Sequence, residues 1–375
     1  MNIRKIALYR LLYLAVFVFA LQYIALHSHG ADNMNASNRY YHEIDQARQQ
    51  LQSLLKTYPG ISVAVGVGDE IVWQEGFGFA NLKDRIPVTP EHQFHYYSIS
   101  KSMAGLVAAK LVEEGKLLLD TTIMLYLPDL PDSYCNVTVA HLLSHTGGVR
   151  HYKKGEWMKI SRQHCLNVEE ALPVFINDAL EFEPGNGYTY TSFGYVLLCR
   201  VLEVASGQAF DTYLQTHFLN PLGLDDIGLD QSAVAQKNPV QFYESWDGKN
   251  GKLAPPVDNS CKFGGGGYAG TAVEMVQLHQ ALLNGRSLQP QTVEQYFTSF
   301  SKTDGSSVEY AFGIGTKTAA DGTRYFAHTG SAMGGFGVLI VVPSEKLVIV
   351  MLTNRCDDKI VPVAKDILKL FRQVV

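Results

Sequence analysis

The run Phe94-His95-Tyr96-Tyr97-Ser98-Ile99-Ser100-Lys101-Ser102-Met103 constrains the fold more than any other stretch. An aromatic, extended-looking segment stops at Ser98. A long apolar helix follows through Ala104 to Val112 and ends near Gly115. The helix is apolar nearly all round, which predicts burial on every side. Ser98 and Lys101 stand three apart, so they share one helical face about 5–6 Å apart at Cβ. A hydroxyl at a helix N-terminus with an amine one turn on suits a nucleophile and its proton acceptor. The plainer reading makes Ser98 an N-cap and lets Lys101 reach outward. A lysine inside a buried helix is costly unless it is paired or neutral. To be largely neutral at pH 7 its pKa must drop from about 10.4 to about 7, a cost of about 4–5 kcal/mol. Burial plus a second cation can supply that. The same Ser-x-x-Lys spacing recurs at Ser53–Lys56 and Ser299–Lys302, in stretches that read as exposed.

Along the chain, Asn38 to Lys56 reads as a helix with Ile44, Ala47, Leu51, Leu54 and Leu55 on one stripe, stopped by Tyr58-Pro59-Gly60. Ile61 to Val67 and Ile71 to Ala80 read as strands about the turn Gly68-Asp69. The middle carries helical signals at Val139–Leu143, Glu169–Leu180 and Phe193–Val204, and a capping-box pattern at Thr271-Ala272-Val273-Glu274. Tyr310–Thr316, Arg324–His328, Phe336–Val342 and Leu347–Leu352 read as strands, and a helix runs from Val361 to Val374. The fold class this predicts is α+β. One antiparallel sheet draws on residues 38–92 and 301–375, is flanked by N- and C-terminal helices, and receives a mostly helical insert, 93–300. A substrate cleft is expected where the sheet edge meets the insert.

Two further stretches can complete a hydrolase site, which needs a base, a base-orienting group and an oxyanion hole besides the nucleophile. In Glu183 through Tyr195, Pro184-Gly185 marks a turn, Ser192 can cap the following helix, and Tyr190 matters if it reaches Ser98. Its plainer reading is an aromatic loop packed on the core. In Ala327-His328-Thr329-Gly330-Ser331, small residues on a strand let a ligand approach the backbone, whose N–H groups can serve an oxyanion. Its plainer reading is a bulged edge strand. The Gly-x-Ser-x-Gly elbow of α/β-hydrolases does not occur.

Taken in order, Tyr97 through Met103, Leu142 through Tyr152, Pro184 through Tyr195, Val257-Asp258-Asn259-Ser260 and His328-Thr329-Gly330 resemble the serine β-lactamase and penicillin-binding-protein superfamily. Within it they are most similar to the class C β-lactamase and S12 peptidase group, and to the mitochondrial β-lactamase-like serine proteins with their bacterial relatives. The resemblance spans roughly 44–370. It implies Ser98 as the acylated nucleophile, Lys101 as its base directly or through Tyr190, and Tyr190 as the acid for the leaving group. Ser192 falls where many members carry Asn, and His328 replaces the usual Lys of Lys-Thr-Gly. The N–H groups of Ser98 and Ser331 would form the oxyanion hole, with Thr329 and Gly330 on the substrate-binding strand. The implied activity is acyl transfer to water from an amide, peptide or ester. The alternative is a catalytically inert scaffold of the same fold, used for peptide binding or self-assembly.

Composition excludes some partners. The formal charge is −5 with no basic patch, which argues against nucleic acid and for a small-molecule or peptide substrate. Arg4, Lys5 and Arg10 precede an apolar run from Leu11 to Leu26, so 1–31 reads as an export signal, cleaved or retained as a membrane anchor. That predicts a periplasmic, secreted or membrane-anchored protein. Five cysteines form no Cys-x-x-Cys pair; Cys199 reads as a packing residue, and the pairing of the others stays open. No cofactor is expected. His141 and His145 stand four apart but lack the Glu of His-Glu-x-x-His, so no metal is assigned and His145 is expected to hold the Thr146-Gly147-Gly148 turn.

Overall fold

Side chains of the central strands alternate between two separate cores, and this alternation explains their sequence. In the computed structural model, which describes residues 39–231 and 237–375, β1 (Gly60–Val67) sends Ile61, Val63 and Val65 to one face and Ala64 to the other. With both faces covered, the central strands must be apolar at every position. That is the pattern of β11 (Gly335–Val342) and β12 (Leu347–Thr353), buried throughout. The sheet is completed by β2 (Glu70–Asn81), β3 (Ile86–Pro87), β9 (Gly315–Thr318) and β10 (Arg324–Ala332). Its order is β3-β2-β1-β12-β11-β10-β9, antiparallel in every pair. Short pairings elsewhere join β4 (Phe94–His95), β5 (Gly228–Leu229) and β8 (Tyr268–Gly270), and β6 (Tyr243–Trp246) with β7 (Gly251–Leu253).

The helices are α1 (Tyr41–Ser53), α2 (Ser100–Glu113), α3 (Val139–Leu143), α4 (Glu156–Ile160), α5 (Ser192–Ser206), α6 (Phe210–Leu214), α7 (Asn220–Leu222), α8 (Ala272–Leu283), α9 (Pro290–Tyr296) and α10 (Ile360–Arg372). α1 and α10 close one face of the sheet, with Ile44, Ala47 and Leu51 packed beside Ile360, Ala364 and Phe371. α8 lies on the other face, where a Cβ at Gly66 would strike Gln280 and Val276. α2, α5 and the surrounding loops form the second, larger core. Segment 1–31, read above as a signal or anchor, lies outside the described residues, as does Asn38. Among the described residues no helix is long and apolar enough to cross a membrane.

Two expected elements differ. Glu169–Leu180 is a 3₁₀ segment, Val168–Val174, rather than an α-helix. Pro173 lies inside it and offers no N–H to continue a helical ladder. The expected strand Tyr310–Thr316 starts only at Gly315. Residues 310–314 turn instead, through Glu309 at φ 49° and Gly313 at φ 78°. That turn is pressed onto α2. A Cβ at Gly313 would lie 1.9 Å from the Lys101 carbonyl oxygen, and one at Gly105 would lie 2.0 Å from the Phe312 oxygen.

Gly105→Ala therefore reverses an ordinary sign. In an open helix the exchange stabilises by about 1 kcal/mol. Here it should destabilise by more than about 2 kcal/mol, because backbone must move away from backbone. A lowered midpoint in urea denaturation checks this, and an unchanged or raised midpoint contradicts it.

Candidate active site

Ser98 sits in the 3₁₀ turn Tyr97–Ile99 that leads into α2. The turn is strained: Tyr97 has φ 47°, a conformation that costs a non-glycine residue about 1–3 kcal/mol. Its ring is fully buried and its hydroxyl donates to the Met333 carbonyl at 2.7 Å, which holds the strained residue in place. Ser98 is thereby turned toward the end of β10. Residues 328–332 of that strand extend beyond β9, which pairs only with 324–327. The edge left uncovered runs beside the nucleophile turn, so closely that a Cβ at Gly330 would lie 2.0 Å from the Tyr96 oxygen and 3.2 Å from the Ser98 nitrogen.

Lys101 is completely buried. Its Nζ lies 2.6 Å from the Gly265 carbonyl, 3.2 Å from Ser192 Oγ and 3.3 Å from Ser98 Oγ. The Gly265 carbonyl can only accept, so one N–H goes to it. A protonated Lys101 donates to all three oxygens; a neutral one has two N–H groups, for Gly265 and Ser192, and turns its lone pair to the Ser98 hydroxyl. Burial is the largest cause that drives the Lys101 pKa well below 10.5, and the charge of Lys262 adds to it. The faces of Tyr190 and Tyr195, 4.8 and 5.5 Å from Nζ, make the remaining wall apolar.

Ser192 is free for this role because it does not cap α5. Contrary to the sequence expectation, the cap is Thr191, whose Oγ1 accepts from the Gly194 N–H at 3.1 Å and donates to the Arg150 carbonyl at 2.7 Å. The Tyr190 hydroxyl is buried and makes no hydrogen bond of ordinary geometry. The Ser98 side chain still acts on it at longer range and opposes the stronger effect of burial, which raises the phenol pKa. Tyr190 is thus a neutral, unengaged phenol beside Ser98.

His328 does not supply the second cation that would lower the Lys101 pKa. Its Nδ1 lies 2.7 Å from the Thr329 carbonyl and must carry the proton there, so Nε2 accepts from the Tyr310 hydroxyl at 2.9 Å. Burial is the main cause that lowers its pKa to about 3. The cation that acts on Lys101 is Lys262. Gly330 is buried, whereas the side chains of Thr329 and Ser331 are exposed. His145 does hold its turn: at φ 62°, its Nδ1 accepts from the Thr191 N–H at 3.1 Å while its ring packs against Tyr190, Tyr195 and Tyr310. His141 caps α3 together with Thr138. Ser53 bonds locally to the Gln50 carbonyl, and Ser299 bonds to the Thr316 hydroxyl. Cys165 and Cys261 form a disulfide beside Lys262, and Cys199 is buried and free.

These groups open on a cleft of about 280 Å³. Ser98, Ser192, Lys262 and Ser331 supply its polar side, and Tyr97, Tyr152, Trp157 and Tyr190 its aromatic side. His151 also lines it and accepts from the Ser192 N–H at 3.2 Å. Of the residues expected from sequence, Ser98, Lys101, Tyr190 and Ser192 come together, with Gly330 and Ser331 alongside. His328 stands one layer behind. Thr329 does not line the cleft.

A match to the Beta-lactamase family model extends over residues 47–368. The chain belongs to the Beta-lactamase family. Among curated relatives, the human mitochondrial serine β-lactamase-like protein LACTB is 28% identical over 379 residues, covering 76% of this chain and 69% of that protein. Penicillin-binding protein 4* of Bacillus subtilis is 24% identical, covering 83% and 72%. Among solved structures, the octameric penicillin-binding protein homologue from Pyrococcus abyssi superposes with a TM-score of 0.75 at 24% identity, covering 88% of this chain and 77% of the other.

The buried histidines predict acid sensitivity. Burial lowers His151 to about 4, His328 to about 3, and His145 well below its usual value. In the unfolded chain each titrates near 6.5. Between about pH 6.5 and 4 the unfolded state therefore binds protons that the folded state refuses, and stability falls as pH falls. Urea midpoints measured from pH 7.5 to 4.5 should decline by the equivalent of a few kcal/mol. His151→Asn should lessen the slope.

Proposed function

We propose that this chain is a serine hydrolase that works through an acyl-enzyme on an ester, amide or peptide. The observation that carries the reading is the fully buried Lys101 amine, 3.3 Å from Ser98 Oγ and satisfied by the Gly265 and Ser192 oxygens. In the first step the Ser98 hydroxyl proton passes to Lys101 Nζ as Oγ forms its bond to the substrate carbonyl carbon. The oxyanion is received by the N–H groups of Ser98 and Ser331, each worth about 2.7–4 kcal/mol in such a role. The leaving group departs with a proton from the Tyr190 phenol, which Lys101 restores. Water then attacks the acyl-enzyme ester, its proton returns to the same pair, and Ser98 is released with the carboxylic acid. The raised Tyr190 pKa favours the protonated phenol over a phenolate base, which supports Lys101 as the direct base. The family membership and the relatives' names support hydrolysis of amide-like bonds without selecting among β-lactams, peptides and esters.

Export is part of the same proposal. The basic and then apolar segment 1–31 supports it, and so does the Cys165–Cys261 disulfide, which suits an oxidising compartment. The alternative, an assembly scaffold without turnover, draws on the octameric state named for the Pyrococcus relative.

A fluorophosphonate probe should label the wild type and fail to label Ser98→Ala; equal labelling of both would defeat the hydrolase reading. On any ester that is turned over, Lys101→Met should lower kcat at least 10³-fold and Tyr190→Phe about 10–100-fold. The wild-type kcat/KM should fall on the acid side as Lys101 becomes protonated. That limb should lie well below 10.5, because burial depresses this pKa.

A further inference from the structure

We propose that Lys262 is an anion anchor in the wall of the catalytic cleft, and that the preferred substrates carry a carboxylate that reaches it. The proposal rests on the hydrolase reading above and names its substrate class. Lys262 lines the cleft together with Ser98, yet it is only 6% exposed. Its Nζ donates to Ser161 Oγ at 2.8 Å and to Asn259 Oδ1 at 2.6 Å. An ammonium has three N–H donors, so one is left over. Both partners are neutral. Among the described residues no carboxylate stands at ion-pair distance from this nitrogen.

The nearby acids are committed elsewhere. Asp230 pairs with His95 and accepts from Asn259 Nδ2 at 2.6 Å. Asp258 pairs with His164 at 3.0 Å and accepts from the Ser260 N–H at 2.9 Å. Both act on Lys262 from a distance and favour its charge, against burial, which lowers its pKa to about 8. It is therefore mainly cationic at neutral pH. A buried ion without a counter-ion is expensive, and such groups concentrate where a ligand supplies the missing charge. The anchor is also rigid. Cys261, its neighbour, is bonded to Cys165, and the Cys165 N–H donates to Ser260 Oγ at 2.9 Å. One layer behind the cleft, His328 has both ring nitrogens engaged and stays neutral. The positive end of the cleft thus lies on the Lys262 side.

The test uses two matched ester pairs and the full-length protein. One pair carries the charge on the acyl side: 4-nitrophenyl hydrogen suberate and its terminal carboxamide. The other carries it on the leaving group: 4-carboxyphenyl butyrate and 4-carbamoylphenyl butyrate. The readout is the ratio of kcat/KM for carboxylate over carboxamide. In the wild type this ratio should exceed ten for at least one pair. It should fall at least tenfold in Lys262→Met and be largely kept in Lys262→Arg. A ratio that stays within twofold of wild type in Lys262→Met, for both pairs, overturns the proposal. A second measurement needs no variant: the wild-type ratio should fall between pH 7 and 9.5 as Lys262 loses its proton. The other groups facing Lys262 are Lys101, Asp230 and Asp258, with His151 and Tyr152 in the cleft. Titration of Lys101 affects both esters of a pair and cancels in the ratio. A flat ratio across that range also overturns the proposal. Turnover without any preference defeats this inference alone, whereas no turnover of any of the four esters defeats the hydrolase reading and this inference with it.

Discussion

An uncharged amine sealed beneath Ser98 is the condition on which the site depends. Apolar surroundings push the Lys101 pKa well below its usual value, and a neighbouring positive charge adds to the effect. Each requirement recruits a different part of the chain. The apolar surroundings come from α2, whose every turn is buried, and from the rings of Tyr190 and Tyr195. The oxygens that satisfy the amine come from Ser192 at the start of α5 and from Gly265. The neighbouring charge comes from Lys262. These groups come from three stretches far apart in sequence, α2, 190–195 and 262–265, so the fold as a whole is what holds the proton in place.

Much of this arrangement was legible in the sequence. The all-apolar helix after Ser98 predicted its burial, and the strand readings at 61–67, 71–80, 324–328, 336–342 and 347–352 predicted a sheet built from both chain ends. The superfamily resemblance added Tyr190, which residue spacing alone left undecided. What failed has local causes. Pro173 broke an expected helix, and Gly313, at a φ closed to most residues, turned an expected strand into a loop pressed onto α2. Thr191 took the capping role that Ser192 was expected to fill, since two adjacent hydroxyl residues compete for one cap.

Lys262 was missed for a different reason. Its signal was a lysine between a cysteine and four glycines, and nothing in that pattern says it is buried. Only the disulfide to Cys165, 96 residues upstream, and the bonds to Ser161 and Asn259 place it in the cleft wall. His328 shows the converse. Its motif position suggested a charge, but two hydrogen bonds fix it as a neutral imidazole. Motifs report which side chains are present; partners decide their protonation.

The pairing of β1 with β12, in which Ile61 lies opposite Thr353, also bears on how the chain acquires its shape. The centre of the sheet joins residues almost 300 positions apart. Such remote closure is entropically slow compared with local hairpins. The hairpin of β1 and β2 is made early in synthesis but keeps one bare edge until the final strand emerges. Closure of the central sheet therefore waits for β12, and the interval before it is when this protein is most exposed to sticking to its neighbours.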